Sequence, residues 1–324
     1  MSTGKPFRFG VQSYTATSPK DWRDQARQAE ALGYSAFHTA DHYIGAGPAL
    51  VGTNHPVQVV AAVPAMMCAA EATSTIRIGC LVLCVDYHQP VVLAKELATI
   101  DWLSEGRLEI GLGAGWLKNE YDAMGVTFDG VGDRITRLAD NIALMKAFFS
   151  GAELNLDGPN VHAVGFEPLP TTPGRVPPIM IGGGAKRVLG LAGREADIVS
   201  INFNNNAGRI GPEGVGSGTA EGTTDKIDWI RAGAGDRFDD IELEIAAYFT
   251  VVTDNRDATL AAMAPRFGLT PEALATHPHG LFGSVDSICD MLVERREKYG
   301  ISYITVGGSV AEQFAPVVAR LAGK

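Results

Sequence analysis

Continuous runs of apolar residues alternate with helical spacings of apolar residues along the whole chain. The continuous runs, which are typical of strands buried on both faces, predict strands at 7–13, 34–40, 76–85, 107–113, 177–183, 196–202, 241–252 and 302–308. Between them, apolar residues such as Ile135 and Leu138 recur at spacings of three and four, which predicts amphipathic helices. Ser18 and Ser284 stand where helix N-caps are expected, and Gly151 stands where a helix is expected to end.

The alternation of strands with helices predicts a parallel α/β sheet, and eight units favour a closed (β/α)8 TIM barrel in a single domain, residues 1–324. A doubly wound open sheet is the alternative that periodicity leaves open. Two segments interrupt the rhythm after the fourth and sixth strands. Residues 151–175 and the Gly- and Asn-rich residues 203–222 are therefore expected as insertions, the second as a lid or a disordered loop. Pro64 is expected to kink the helix predicted over 57–73.

The composition narrows the classes of function. The chain has 324 residues, of which 46% are hydrophobic and 20% charged, and its net charge is −10. Such acidity disfavours nucleic acid and anionic membrane surfaces as partners. The sequence has no apolar run long enough to span a membrane and no apolar signal core in its first residues, so a cytoplasmic protein is expected. The four cysteines form no C-x-x-C pair, which favours reduced, buried thiols.

Polar residues and glycines gather at the carboxyl ends of the predicted strands, where a parallel barrel holds its ligand site. Tyr14 follows the first strand, Asp41 and His42 follow the second, and Cys84 ends the third. The sequence GLGAGWLKNEY (111–121) stands at the end of the fourth. A lone histidine in a loop is more often structural than catalytic, but the neighbouring Asp41 and the position at a strand end make His42 a candidate catalytic residue.

The segment IGGGAKR (181–187) joins the fifth predicted strand to a helix through three glycines. Glycine lets backbone N–H groups approach an anion, and a helix N-terminus carries a partial positive charge. The segment therefore predicts a phosphate site with Lys186 or Arg187 as counter-charge, although a plain strand-to-helix turn is the alternative. The G-x-G-x-x-G pattern of dinucleotide-binding folds is absent, so a phosphorylated ring cofactor in a barrel mouth fits better.

Two other patterns are less informative. His277 and His279 are the closest histidine pair, but no carboxylate-rich ligand set accompanies them, so no metal site is predicted. The sequence GGSVA (307–311) resembles a nucleophile elbow, but no histidine follows Ser309, which argues against a hydrolase triad in that chain order.

In combination, these segments resemble the luciferase-like flavin and deazaflavin oxidoreductases, known as the bacterial luciferase superfamily. The matching segments are ADHY (40–43), GRLEIGLGAGWLKNEY (106–121), PPIMIGGGAKRVLGLAGREADIV (177–199) and GSVDSICDMLVERREKYGISYITV (283–306). The resemblance covers nearly the whole chain and implies a (β/α)8 barrel that binds either FMN or the deazaflavin coenzyme F420. The chain is most similar to the F420-dependent branch of mycobacteria and related actinobacteria.

The resemblance also implies roles for individual residues. Asp41 matches a position near the ring system, and His42 matches a histidine beside the reactive carbon. CLVLC (80–84) matches a bulge behind the ring, which implies a non-proline cis peptide bond between Leu81 and Val82. Cys84 stands where relatives often carry a small hydroxyl residue. The positions expected to bind the cofactor are Asp41, Leu81, Val82, Cys84, Gly113, Gly115, Asn119, Gly182, Gly183 and Gly184.

The implied activity is hydride transfer between F420 and a small organic substrate, with His42 as a proton donor or as a stabiliser of the anionic ring. Trp116 stands where the superfamily's sugar-phosphate dehydrogenases carry a catalytic carboxylate, and the pair Tyr14 and Trp116 suggests an apolar or planar substrate. One alternative is an FMN-dependent two-component monooxygenase of the luciferase and alkanesulfonate type, with a flavin reductase as partner. A second is a non-catalytic flavin- or deazaflavin-binding protein. A homodimer is expected, because dimers are common in this superfamily.

Overall fold

Eight parallel strands close into a barrel in the computed structural model, which describes residues 4–171 and 174–324. The strands, in chain order, are β1 (Arg8–Gln12), β2 (Ala36–Thr39), β3 (Arg77–Cys80), β4 (Leu83–Cys84), β5 (Leu108–Gly113), β6 (Leu154–Asp157), β7 (His162–Phe166), β8 (Ile179–Gly183), β9 (Ile198–Ile201), β10 (Glu242–Ala247), β11 (Phe249–Val252), β12 (Gly280–Gly283) and β13 (Ile301–Gly307). The barrel follows the order β1, β2, β3, β5, β8, β9, β10 and β13, and β13 pairs with β1 to close it. The predicted (β/α)8 barrel is therefore confirmed, and the open sheet is excluded.

Helices surround the barrel and bury their apolar faces against it. The helices, in chain order, are α1 (Pro19–Ala31), α2 (Ala62–Ala72), α3 (Pro90–Leu103), α4 (Lys118–Met124), α5 (Val131–Ser150), α6 (Lys186–Glu195), α7 (Pro212–Gly216), α8 (Ala220–Ala234), α9 (Arg256–Met263), α10 (Pro271–Ala275), α11 (Val285–Tyr299) and α12 (Ala311–Leu321). The outer ring consists of α1, α2, α3, α5, α6, α8, α11 and α12. The main hydrophobic core lies between this ring and the outward-facing side chains of the barrel strands.

The helix boundaries follow the predicted caps. The Ser18 side chain accepts a hydrogen bond from the backbone N–H of Asp21 and starts α1, and Ser284 does the same for Ser287 at the start of α11. Gly151 ends α5 with a φ of 77°, in the left-handed region that glycine adopts without strain.

Three predicted elements differ from the structure. The α2 helix begins at Ala62, so Pro64 lies in its first turn and does not kink it, because the first backbone N–H groups of a helix have no partner within it. The predicted strand 76–85 is divided into β3 and β4, and the predicted strand 241–252 is divided into β10 and β11 at Tyr248. Apolar runs do not mark where a strand leaves the barrel wall.

The insertions have their own structure. Residues 151–175 contain the antiparallel hairpin of β6 and β7, and residues 203–222 contain α7 and the first residues of α8. Another segment outside the barrel follows β10, and the apolar pattern did not indicate it. Its strands β11 and β12 pair in parallel outside the barrel. They pack with α9 and α10 around a second, smaller core formed by Phe203, Val215, Phe249, Leu260, Ala264, Leu274 and Phe282.

Charged side chains fill the amino-terminal end of the barrel interior. Arg8 bridges the carboxylates of Glu109 and Glu242, and the Oε2 atom of Glu109 also lies 3.2 Å from Nε2 of His38 and 3.1 Å from the hydroxyl of Tyr303. Burial alone would raise the pKa of Glu109, but these partners lower it to about 2. This end of the barrel is therefore held by ion pairs and hydrogen bonds.

One interior carboxylate is left without such support. Glu244 is fully buried on β10, and neither of its carboxylate oxygens makes a hydrogen bond with any residue that the structure describes. The hydroxyls of Ser200 and Thr305 are close enough to lower its pKa slightly, but burial dominates and raises the pKa to about 7.

Candidate functional site

The candidate site lies at the carboxyl ends of the barrel strands, and Asp41 is one of its two buried carboxylates. Asp41 directly follows β2 and is 2% exposed. Its Oδ2 atom accepts a hydrogen bond from the backbone N–H of Cys84 at 2.9 Å and lies 2.8 Å from Nε2 of His88. Its Oδ1 atom is buried and makes no hydrogen bond with the described residues. Because buried acceptors are rarely unsatisfied, Oδ1 is the atom that a ligand at this position would satisfy.

His42 is held by a buried carboxylate that the sequence places far away. The Nδ1 atom of His42 lies 2.7 Å from Oε2 of Glu120, which is 1% exposed in the first turn of α4. Glu120 also accepts hydrogen bonds from the backbone N–H of Tyr43 and from the hydroxyl of Tyr87, the latter at 3.1 Å. Burial alone would raise the pKa of Glu120, but these donors lower it below its usual value. A carboxylate that is ionised in this way favours the Nδ1–H form of His42 and leaves Nε2 for chemistry.

Three rings form a wall beside this pair. The ring of His55 lies 4.0 Å from the ring of His42, centroid to centroid, and Trp116 lies 5.9 Å from each. Burial and the neighbouring His42 lower the pKa of His55 to about 4. His55 is therefore neutral at pH 7.

Tyr14 is placed at the same end of the barrel but is not part of this wall. Its carbonyl accepts a hydrogen bond from the backbone N–H of Val59 at 3.0 Å, and burial raises the pKa of its hydroxyl. The rings of Tyr14 and Trp116 do not contact each other in the described part of the chain.

The backbone bulge between β3 and β4 lies across the barrel mouth. The peptide bond between Leu81 and Val82 is cis, which confirms that expectation. The side chain of Val82 packs where Cβ atoms on Gly113 and Gly182 would otherwise lie, at 2.6 Å and 3.1 Å respectively. The amide of Gln12 donates to the carbonyl of Leu81 at 2.8 Å and so ties the bulge to β1. These glycines therefore make room for the bulge.

Cys84 contributes to the support behind the bulge. Its sulfur lies 3.2 Å from the hydroxyl of Tyr121, which itself donates to Asp86 at 2.9 Å, so the thiol is the donor to Tyr121. A Cβ at Gly115 would lie 1.8 Å from the Tyr121 hydroxyl, and Gly115 has a φ of 67°. Both the close approach and the left-handed backbone require glycine at this position.

The three glycines after β8 have different environments. Gly182 and Gly183 are half-buried, and Gly184 is buried. A Cβ at Gly184 would lie 2.1 Å from the carbonyl oxygen of Phe203, so the turn after β9 itself demands a glycine there. The α6 helix starts two residues later without a side-chain cap. Its exposed Arg187 reaches Thr136 on α5 at 3.2 Å. Uncapped backbone N–H groups beside exposed Lys186 and Arg187 can bind an anion.

Asn119 lies apart from these groups, because its side chain is exposed at the second position of α4. The adjacent residue, Glu120, points into the protein instead. The structure thus brings Asp41, His42, Trp116 and the Leu81–Val82 bulge to one end of the barrel and adds Glu120 and His55, which sequence reasoning did not select. The segment NEY (119–121) contains an acid at a helix start, but nothing in the sequence distinguishes that acid from the exposed carboxylates common in first turns.

Other features of the described residues do not add a site. No group of three His, Cys, Asp or Glu residues in 4–171 and 174–324 is arranged to hold a metal ion. In the same ranges no helix has the length and apolar character needed to cross a bilayer. A polar groove of about 290 Å³ lies between α2 and the start of β5, but its Arg107 is engaged with the backbone carbonyls of Ala70 and Ile76. All four cysteines are free, and three of them are buried.

The chain is similar in sequence to known proteins whose names indicate different cofactors. An F420-dependent glucose-6-phosphate dehydrogenase of Amycolatopsis mediterranei is 29% identical over 180 residues, which cover 55% of this chain and 52% of that protein. An FMNH(2)-dependent dimethylsulfone monooxygenase of Pseudomonas fluorescens is 25% identical over 249 residues, which cover 75% of this chain and 62% of that protein. The matches thus span about half to three fifths of the length of these relatives.

A solved structure and a family model extend the match to most of the chain. The structure of an F420-dependent secondary alcohol dehydrogenase in complex with an F420-acetone adduct covers 98% of both chains with a TM-score of 0.74 and 17% identity, a likeness of fold. The model of the luciferase-like monooxygenase family matches residues 2–282. The chain therefore belongs to the luciferase-like monooxygenase family.

Proposed function

We propose that the protein is an oxidoreductase that transfers a hydride between coenzyme F420 and a small organic substrate. The observation that carries the proposal is the His42–Glu120 pair at the barrel mouth, beside the buried Asp41 with its unsatisfied Oδ1 atom. A titratable ring backed by a buried carboxylate is the arrangement that proton transfer needs. F420-dependent enzymes among the relatives and structural neighbours support this choice of cofactor.

The residues at the mouth fit a planar ring system with a phosphate on its side chain. Asp41 would accept a hydrogen bond from a ring N–H through Oδ1, and the Leu81–Val82 bulge would support one ring face. The glycines 182–184 and the start of α6 would hold the phosphate. The remaining cofactor contacts that we propose are Cys84, Gly113, Gly115 and the exposed Asn119.

The bound coenzyme would accept or supply the hydride. Nε2 of His42 takes the hydroxyl proton of an alcohol substrate as the hydride leaves the neighbouring carbon, and returns that proton in the reverse direction. Glu120 fixes the orientation and the tautomer of the ring through Nδ1, as the carboxylate does in other His–carboxylate pairs. The bulge and the ring wall exclude water from the reacting atoms.

The walls favour an uncharged substrate with an apolar or planar body. Trp116 and Tyr14 offer aromatic surface at the mouth, and Trp116 contacts the His42 ring edge-on. The ionised partner of His42 is the carboxylate of Glu120, which disfavours a phosphate at the wall. A sugar phosphate therefore fits this wall poorly.

Parallel fluorescence titrations of the purified protein with oxidised F420 and with FMN test the proposal. We expect tight binding of F420 and weak binding of FMN. Asp41→Asn should weaken F420 binding at least tenfold, because it removes a charged acceptor at the ring. The control Asp254→Asn, which changes an exposed carboxylate just after β11, should leave binding unchanged. Tight binding of FMN with weak binding of F420 would contradict the proposal.

The second candidate is a two-component FMN-dependent monooxygenase, fed by a flavin reductase. The FMNH(2)-dependent dimethylsulfone monooxygenase favours it, because that match covers a larger share of this chain than the F420-dependent dehydrogenase matches do. Consumption of oxygen in the presence of reduced FMN distinguishes the two, since deazaflavin chemistry proceeds under anaerobic conditions. Cofactor binding without turnover of any substrate would point to the non-catalytic alternative.

A further inference from the structure

His55 belongs to a loop that is held by a hydrogen bond within the loop and by two neighbouring segments. The Thr53 side chain accepts a hydrogen bond from the backbone N–H of His55 at 3.1 Å. The Thr53 carbonyl accepts from the N–H of Ile210 at 3.0 Å, and the amide of Asn54 donates to the carbonyl of Ile210 at 2.9 Å. On the other side, the N–H of Val59 donates to the carbonyl of Tyr14. The loop therefore presents the His55 ring from a position tied to the loops after β1 and β9.

The hydrogen bond of His55 fixes its tautomer. Its Nδ1 atom lies 2.7 Å from the carbonyl oxygen of Pro56, and a carbonyl can only accept, so Nδ1 carries the hydrogen. The ring is neutral at pH 7, because burial and His42 disfavour its charged form. In a neutral ring with Nδ1 protonated, Nε2 has a lone pair and is an acceptor. No protein donor contacts that atom within the described residues.

His42, the adjacent histidine, differs from His55 in the group that its Nδ1 atom contacts. Nδ1 of His42 is paired with the ionised carboxylate of Glu120, whereas Nδ1 of His55 is paired with a neutral carbonyl. The two rings lie 4.0 Å apart and share the contact with Trp116. The wall thus carries a ring that is paired with an ionised carboxylate next to a neutral ring whose Nε2 atom can accept a hydrogen bond.

We propose that Nε2 of His55 is a specificity-determining acceptor, which binds a hydroxyl or N–H group of an uncharged substrate beside its reacting carbon. This inference rests on the proposed function, since it assigns the substrate class of the same site. A substrate that offers only acceptors, or an anion, would leave the His55 lone pair facing another lone pair. His55 therefore selects for a hydrogen-bond donor while Trp116 selects for a flat apolar body.

Phenol and anisole are the probes that test this proposal, because they share a planar body and differ in one hydrogen-bond donor. Each is titrated into protein labelled with 15N-histidine, with and without F420, and the ring nitrogen resonances are followed. We expect phenol to bind about fivefold to tenfold more tightly than anisole and to shift the Nε2 resonance of His55. His55→Phe should abolish the preference. His55→Gln, which keeps an acceptor oxygen, should retain part of it, and the exposed control His162→Phe should retain all of it.

The outcomes separate this proposal from the proposed function. Equal binding of the two probes, a preference that survives in His55→Phe, or a protonated Nε2 at pH 7 would overturn the role of His55. Failure of the protein to bind F420, with the phenol preference intact, would overturn the proposed function and support the acceptor role.

Discussion

The Nδ1 atom of His42 lies 2.7 Å from Oε2 of Glu120, although the two residues are 78 positions apart in the chain. The barrel brings them together because β2 and β5 both flank β3, so the segments that follow them converge at one end. Three donors surround the buried carboxylate of Glu120, and it holds the ring in one orientation. The proton transfer that we propose for His42 would therefore depend on Glu120.

Glu120→Gln should lower turnover with the cognate substrate at least tenfold, because the His42 ring loses the charged acceptor that fixes its orientation and tautomer. F420 affinity should change little, since Glu120 acts through His42. Steady-state rates and coenzyme titrations of the same preparations check this. Tyr87→Phe, which removes one of the donors to Glu120, should have a smaller effect.

The control for this comparison is Glu195→Gln, because Glu195 forms an exposed ion pair with Lys146 on the outer helices. It should leave turnover unchanged. Equal rates for Glu120→Gln and the wild-type protein would exclude Glu120 from proton transfer, whereas equal losses of rate and of F420 affinity would indicate a structural role.

Gly184→Ala should destabilise the protein by about 2 kcal/mol or more even without cofactor, because the new Cβ would lie 2.1 Å from the carbonyl oxygen of Phe203. Gly182→Ala should cost less, since its nearest neighbour is a side-chain methyl of Val82 at 3.1 Å. Urea unfolding of the two variants without cofactor checks this order. A Gly184→Ala protein as stable as the wild type would show that this glycine serves only a ligand.

Glu244→Gln should stabilise the protein in a pH-dependent manner. The folded state holds a proton on Glu244 up to about pH 7, whereas the unfolded state releases it near pH 4.5, so wild-type stability falls as the pH rises through this range. The loss amounts to about 3 kcal/mol at most. The Tm difference between the variant and the wild type should therefore grow from pH 5 to pH 8, and the exposed control Glu71→Gln should show no such trend. A difference independent of pH would contradict the assignment.

Cys84 should resist alkylation by iodoacetamide at pH 8.5, because burial raises the pKa of its thiol and Tyr121 holds its hydrogen bond. Cys68 is half-buried and should react first. Peptide mass spectrometry after timed labelling gives the order. Early modification of Cys84 would mean that the bulge opens readily.

The barrel could be predicted because its evidence is local. Apolar runs such as 107–113 and caps such as Ser18 encode individual elements, and eight of them in alternation leave few topologies. The predicted element bounds were wrong where contacts outside the element determine where it begins or ends. Tyr248 lies within an apolar run, yet the chain leaves the barrel there to form β11. Pro64 is compatible with either a kink or a first turn, and only the helix start distinguishes them.

The candidate site was predictable in part for the same reason. Asp41 and His42 directly follow a strand, so their position at the barrel mouth follows from the fold. Glu120 and His55 reach the site through a helix turn and a long loop, and neither residue type nor spacing indicates where such side chains point. For Gly184 the surrounding sequence predicted contact with an anion, but the structure places the backbone of Phe203 closest to it.

The charged cluster of Arg8, Glu109 and Glu242 at the amino-terminal end has a consequence for kinetics. Because side chains occupy that end in the described part of the chain, we expect ligands to enter the barrel at its carboxyl-terminal end. When two ligands use the same entrance and one lies beneath the other, the lower one cannot bind or leave while the upper one is bound. Were the proposed coenzyme to lie beneath the substrate, it would have to bind first and leave last, and the two ligands would then bind in a compulsory order.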